Sequence, residues 1–225
     1  MGEMVQLRAK DGHVLDAYVV QPGVPAKGGL VIVQEIHGVN AHIRAVADRY
    51  ADEDGFVVVA PALFDRIERG VDLRYEGEDT QRAMNLLKSF DIETGVEDIA
   101  AAVQCERCFR NVKKIGVVGY CLGGTLAWLS AARLPIHAAV CYYGGKIVDY
   151  VNERPKVPVM LHFGELDQHI PAEEIDTIAQ AHPAVPIHRY HAGHGFNCDM
   201  RGSYDASSAG RARKRTLEFL HEHLR

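Results

Sequence analysis

Continuous apolar runs and amphipathic stretches alternate along most of the chain. "GLVIVQEI" (29–36), "GFVVVAPALF" (55–64), "KIGVVGY" (114–120), "HAAVCYYGG" (137–145) and "VPVMLHFG" (157–164) are unbroken and rich in β-branched residues. That is the pattern of strands buried on both faces. Between them, residues 41–55 put Ile43, Val46, Ala47 and Tyr50 on one helical face and close at Gly55, and residues 94–110 repeat Val96, Ile99, Ala100 and Val103. Another helix is predicted from Leu122, carrying Leu126, Leu129 and Ala132. A last one at the C-terminus turns Leu217, Phe219 or Leu220, and Leu224 inward and leaves its basic run, Arg211 to Arg215, as a solvated face. Such alternation predicts an α/β fold with a mostly parallel sheet and helices on both faces. The first stretch differs, because two alternating runs meet at Asp11-Gly12, the signal for an N-terminal antiparallel hairpin. Residues 64–78 are the longest irregular stretch, charged and suited either to cover a site as a lid or to be a solvated excursion.

Composition narrows the possible partners. A chain of 225 residues, 47% hydrophobic, can bury one substantial core, so a single domain over 1–225 is expected. With 25 Lys and Arg against 30 Asp and Glu, the net charge of -5 leaves no cationic surplus for nucleic acid or an anionic membrane, and neither is an expected partner. The polar start "MGEMVQLRAKDG" lacks the apolar stretch of a signal peptide, which predicts a cytoplasmic protein. Five cysteines, an odd set in a chain too large to need staples, predict reduced thiols.

One of those cysteines stands where chemistry is expected. In "GVVGYCLGG" (116–124) a strand runs into Cys121 and then a helix, and Gly119-Tyr120-Cys121-Leu122-Gly123 has the G-x-nucleophile-x-G form of a strand-to-helix elbow, with sulfur as nucleophile. The flanking glycines relieve crowding in the turn, and the following helix N-terminus favours a thiolate. The backbone N–H of Leu122 points where an oxyanion would form, and Ile36, after the 29–36 strand, is the expected second donor. Neither G-x-x-x-x-G-K-S/T nor G-x-G-x-x-G occurs, so nucleotide phosphates are poorly supported.

A thiol nucleophile calls for a base held by a carboxylate, in the chain order nucleophile, acid, histidine. Asp167 follows the strand 157–164, and His194 lies between Gly193 and Gly195 beyond the predicted strand in "PIHRYHAGHGF". Glu165 and His191 are their reserves. The C-x-x-C of Cys105 and Cys108 raises a rival reading as a thiol-disulfide protein, but its place late in a helix is wrong for an activated thiol. No H-E-x-x-H and no second C-x-x-C occur, so no metal site is expected.

These segments, with "QEIHGVNAHIR", "SFDIETGVEDI", "VGYCLGGTLAW" and "HAGHGFNCDMR", resemble the dienelactone hydrolase family, nearly end to end. The resemblance implies a single-domain α/β-hydrolase fold with Cys121, His194 and Asp167 as triad. It also implies that Glu35 helps to deprotonate the cysteine when substrate binds. Two arginines that hold a substrate carboxylate in the family fall, by ungapped alignment, on Thr80 and Cys198, and a tyrosine falls on Met84. Arg82 and Arg201 are nearby substitutes. The pocket candidates are therefore Glu35, His37, Arg82, Tyr143 and Arg201.

The expected reaction is hydrolysis of an activated ester or enol lactone through a thioester, with no cofactor and a small-molecule substrate, by a monomer or homodimer. Thiolate is a better leaving group than an amine anion or a poor alkoxide, so amides and unactivated esters should be poor substrates. A binding protein that kept the fold without catalysis is the other alternative.

Overall fold

The computed structural model describes residues 2–225. Within these residues eight strands form one sheet in the order β1-β2-β4-β3-β5-β6-β7-β8. β1 (Glu3–Arg8) and β2 (Val14–Val20) are the expected hairpin, paired antiparallel from Glu3 opposite Val19 to Arg8 opposite Val14. β2 also pairs antiparallel with β4 (Val57–Pro61). From there β3 (Gly29–Val33), β5 (Ile115–Tyr120), β6 (Ala138–Tyr142), β7 (Val159–Gly164) and β8 (Ile187–Tyr190) continue in parallel. Every residue of β3, β4, β6 and β7 is buried, which is why these segments read as unbroken apolar runs.

Among the described residues six helices flank the sheet: α1 (Ala41–Asp52), α2 (Gly77–Ser89), α3 (Ile92–Val103), α4 (Leu122–Arg133), α5 (Ala172–Ala181) and α6 (Ala206–Leu224). Asn40 caps α1 by accepting from the Ile43 N–H at 3.1 Å, and Asp91 caps α3 by accepting from the Glu93 N–H at 2.8 Å. α4 is buried almost all round, between the sheet and α3, with Trp128 fully enclosed. Among the described residues no helix is long and apolar enough to cross a membrane.

Three expectations are corrected. The helix predicted over 94–110 ends at Val103, because the apolar repeat stops there. Gln104 caps the helix, and the next residues turn, with the Cys108 N–H donating to the Cys105 carbonyl. Cys105 and Cys108 are not reduced thiols but are joined as a disulfide in that turn, leaving Cys121, Cys141 and Cys198 free. Both bonded cysteines are buried and lie outside any helix N-terminus, so the thiol-disulfide reading gains nothing from their placement.

The third correction concerns charged segments. The basic run of α6 is not simply solvated: Arg213 donates to Asp54 at 2.8 Å and Glu53 at 3.0 Å and lies over the Tyr50 ring, tying α6 to the end of α1. Arg215 donates to the Tyr190 hydroxyl at 3.0 Å. The 64–78 stretch is likewise pinned. It contains most of a short 3-10 turn at Leu63–Arg66, whose Arg66 grips the buried Asp98 of α3 through two bonds of 2.8 Å, and a bridge joins Asp72 to Gly38.

Candidate active site

Only one residue separates β5 from α4, and it is Cys121. The chain reverses there at φ 55°, ψ -114°, a conformation that costs an L-residue about 1–3 kcal/mol and persists only where the surroundings enforce it. Neighbouring strands supply that enforcement. The Cys121 N–H donates to the Tyr142 carbonyl at the end of β6 (3.0 Å), and the Gly123 N–H donates to the Gln34 carbonyl just past β3 (3.1 Å). The flanking glycines are there for space: a Cβ on Gly119 would lie 1.8 Å from the Gly123 carbonyl oxygen, and one on Gly123 would lie 2.3 Å from that of Val33.

The half-buried thiol faces an imidazole. His194 Nε2 is 3.2 Å from Cys121 Sγ, and His194 Nδ1 is 2.7 Å from Asp167 Oδ2. A carboxylate can only accept, so Nδ1 carries the proton toward Asp167 and Nε2 is left to the sulfur. Asp167 is buried, and its other oxygen accepts the His169 N–H at 2.8 Å, which fixes the carboxylate in place. Burial works against a charged His194 ring, but the adjacent Cys121 sulfur and then Asp167 outweigh it and raise its pKa to about 10. The ring can therefore hold a proton on Nε2 toward the sulfur, and that proton is lost only as pH rises toward this value. In Cys121→Ala the leading cause of the upward shift is gone. The His194 ring in that variant should titrate well below 10 by NMR, and an unchanged value would show that sulfur and ring are not coupled.

Leu122, the first residue of α4, has no intrahelical carbonyl for its N–H. It lines the same cavity as Ile36 and Cys121. This cavity, about 630 Å³, is also lined by Thr80, Met84 and Leu87 of α2, by Ile92, and by Lys146, His169, His194 and Arg201.

Behind it lies a buried charge. Glu35 is fully enclosed, neither carboxylate oxygen has a hydrogen-bond donor, and Arg201 Nη2 is 3.5 Å away. Burial pushes the Glu35 carboxyl up, but the Arg201 guanidinium and then His42 overcome it and hold its pKa below the usual carboxylate value. Arg201 also lies over the Tyr75 ring at 4.7 Å, and Tyr75 packs against His37 with ring centroids 4.3 Å apart. Burial lowers His37 to about 4, so this cavity-lining imidazole is neutral at pH 7.

The structure therefore brings together Cys121, Asp167, His194, Leu122, Ile36, His37 and Arg201, with Glu35 adjoining. It does not bring Arg82, which points outward from α2 and pairs with Glu68. Tyr143 does not line the cavity either. Following β6 at φ 40°, it is wholly buried, its ring packed 5.0 Å from that of His194, and it backs the histidine from the interior. The reserves His191 and Glu165 are exposed and pair loosely with each other at 3.8 Å. Sequence reasoning missed Tyr75, Thr125, Lys146, His169 and Ser203. Only Tyr75 had a signal, its place in the 64–78 stretch. The 64–78 stretch thus contributes Tyr75 to the cavity lining, packed against His37 and Arg201.

Comparison with known proteins agrees with this geometry. A model of the dienelactone hydrolase family matches residues 15–224. The chain is 37% identical over 227 residues to carboxymethylenebutenolidase of Pseudomonas putida, covering 97% of this chain and 95% of that one. It is 31% identical over 229 residues to carboxymethylenebutenolidase 1 of Cupriavidus pinatubonensis, covering 98% and 97%. A solved chain from Klebsiella pneumoniae, provisionally named a dienelactone hydrolase, superposes with a TM-score of 0.84 at 26% identity, covering 99% of this chain and 100% of that one. The fold also matches that of a Pyrococcus furiosus esterase, with a TM-score of 0.76 at 15% identity, covering 100% and 93%. With sulfur, imidazole and carboxylate in line at a strand-to-helix elbow, and with similarity running almost end to end, the chain belongs to the dienelactone hydrolase family.

Proposed function

We propose that the protein hydrolyses activated carboxylic esters or lactones, with Cys121 as nucleophile, His194 as general acid and base, and Asp167 as the residue that orients the ring. The observation that carries this reading is the unbroken line from Cys121 Sγ through His194 to Asp167, at 3.2 and 2.7 Å. Sulfur attacks the substrate carbonyl, and the charge on its oxygen develops against the N–H groups of Leu122 and Ile36. As the intermediate collapses, the leaving oxygen takes the proton from His194 Nε2 and a thioester remains. His194, now neutral, removes a proton from water, whose oxygen attacks the thioester. The second intermediate expels thiolate, and the free acid leaves.

The change of role is electrostatic. Acylation removes the sulfur charge that stabilises the imidazolium, so the ring becomes a base when water must be activated. Glu35 is the auxiliary proton acceptor for the thiol, a role supported by its two carboxylate oxygens without donors beneath the site.

Quenching the Asp167→Asn variant during turnover of an aryl ester tests the scheme, because a mis-set tautomer slows the water step. Mass spectrometry should find one acyl group on the peptide that contains Cys121. Turnover with no acylated cysteine, or with the label elsewhere, would overturn it.

A further inference from the structure

The lining of the catalytic cavity is uneven in a way that the triad does not require. Thr80, Met84 and Leu87 follow one another at helical spacing along α2 and line the cavity, so the wall that this helix contributes is mainly hydrocarbon. Met84 is 41% exposed, so its side chain borders both the cavity and solvent. No cationic side chain lines this wall among the described residues.

The two cations that line the cavity, Arg201 and Lys146, come from segments other than α2. Arg201 is engaged with the buried Glu35 and the Tyr75 ring. A substrate anion that took it away would leave Glu35 enclosed and unpaired, an expensive exchange. Lys146 is exposed, so water screens any ion pair it makes.

We propose that the α2 wall is a specificity-determining subsite for an uncharged hydrocarbon group of the substrate, with Met84 at its exposed end. This inference rests on the hydrolytic reading above and deepens it: the substrate class is an activated ester or lactone whose part against α2 is alkyl or aryl and carries no carboxylate. A carboxylate there would lose its water without gaining a counter-charge.

Two matched pairs of esters test the proposal and distinguish which half of the substrate meets α2. The acyl pair is para-nitrophenyl hexanoate and the mono-para-nitrophenyl ester of adipic acid. The alcohol pair is para-propylphenyl acetate and para-(2-carboxyethyl)phenyl acetate. In at least one pair the neutral member should be favoured in kcat/KM by about tenfold or more, the scale of discrimination in an apolar pocket. Met84→Lys should shift that ratio toward the carboxylate member by about tenfold, and circular dichroism should show the fold of this exposed-position variant unchanged.

Equal turnover of both members in both pairs, or a ratio indifferent to Met84→Lys, would overturn the subsite. No turnover of any ester, together with no acyl group on Cys121, would overturn the hydrolytic reading and the subsite with it. That outcome is distinct from the first two, in which Cys121 is acylated.

Discussion

Cys121→Ala should reduce kcat/KM for an activated aryl ester by about ten-thousandfold, the scale on which a triad acts as a unit. What remains after the sulfur is removed is His194 and two backbone N–H groups, able to polarise a carbonyl and direct water but not to form the acyl intermediate. The variant should fold normally. Alanine keeps the Cβ and the positive φ of the turn, the backbone bonds to Tyr142 and Gln34 do not involve the side chain, and the thiol is only half-buried. Steady-state kinetics alongside thermal unfolding checks both halves. A variant that keeps most of its activity would mean that some other group attacks the carbonyl.

Gly119→Ala should be among the most destabilising single-methyl changes available, costing about 4 kcal/mol or more. Replacing glycine by alanine ordinarily stabilises by about 0.4–1 kcal/mol, because it narrows the unfolded ensemble. Here the native state decides the sign. The added carbon would sit 1.8 Å from a backbone oxygen, which cannot swing aside as a flexible side chain would. Either the elbow opens, misaiming Cys121, or the helix start moves away from β5. Urea unfolding should show a lower midpoint and residual activity should fall with it, whereas a wild-type midpoint would show that the turn is slacker than its geometry implies.

The legible parts of this molecule were those set by local sterics or by short repeats. The elbow could be read because its glycines answer to atoms only a few residues away or one strand over. The hairpin at Asp11-Gly12 was legible for the same reason. Asp167 and His194 were found from their order after strands, since parallel strands deliver their following loops to one edge of the sheet. Arg82 was misplaced for a reason visible in hindsight. It lies two residues from both Thr80 and Met84, and on a helix that spacing places it on the opposite side from the two that face the cavity.

Lys146, His169 and Ser203 gave no warning, because their approach to Cys121 is made by loops from separate parts of the chain and leaves no periodic trace. The end of α3 was overrun because helical periodicity shows where a face continues more clearly than where a cap begins. Cys105 and Cys108 pair within the turn that replaces the last helical residues, a local closure that an argument from an odd cysteine count and chain size does not address.

The bonds that hold the elbow have a bearing on biosynthesis. Its two clamps come from a residue near position 34 and another at 142, so the reactive corner does not exist until segments on either side of it have docked. Its imidazole partner is later still, at position 194. A nascent chain whose C-terminal third is still missing therefore carries an ordinary, unactivated sulfhydryl, and metabolites that would acylate the mature enzyme find no primed nucleophile to consume.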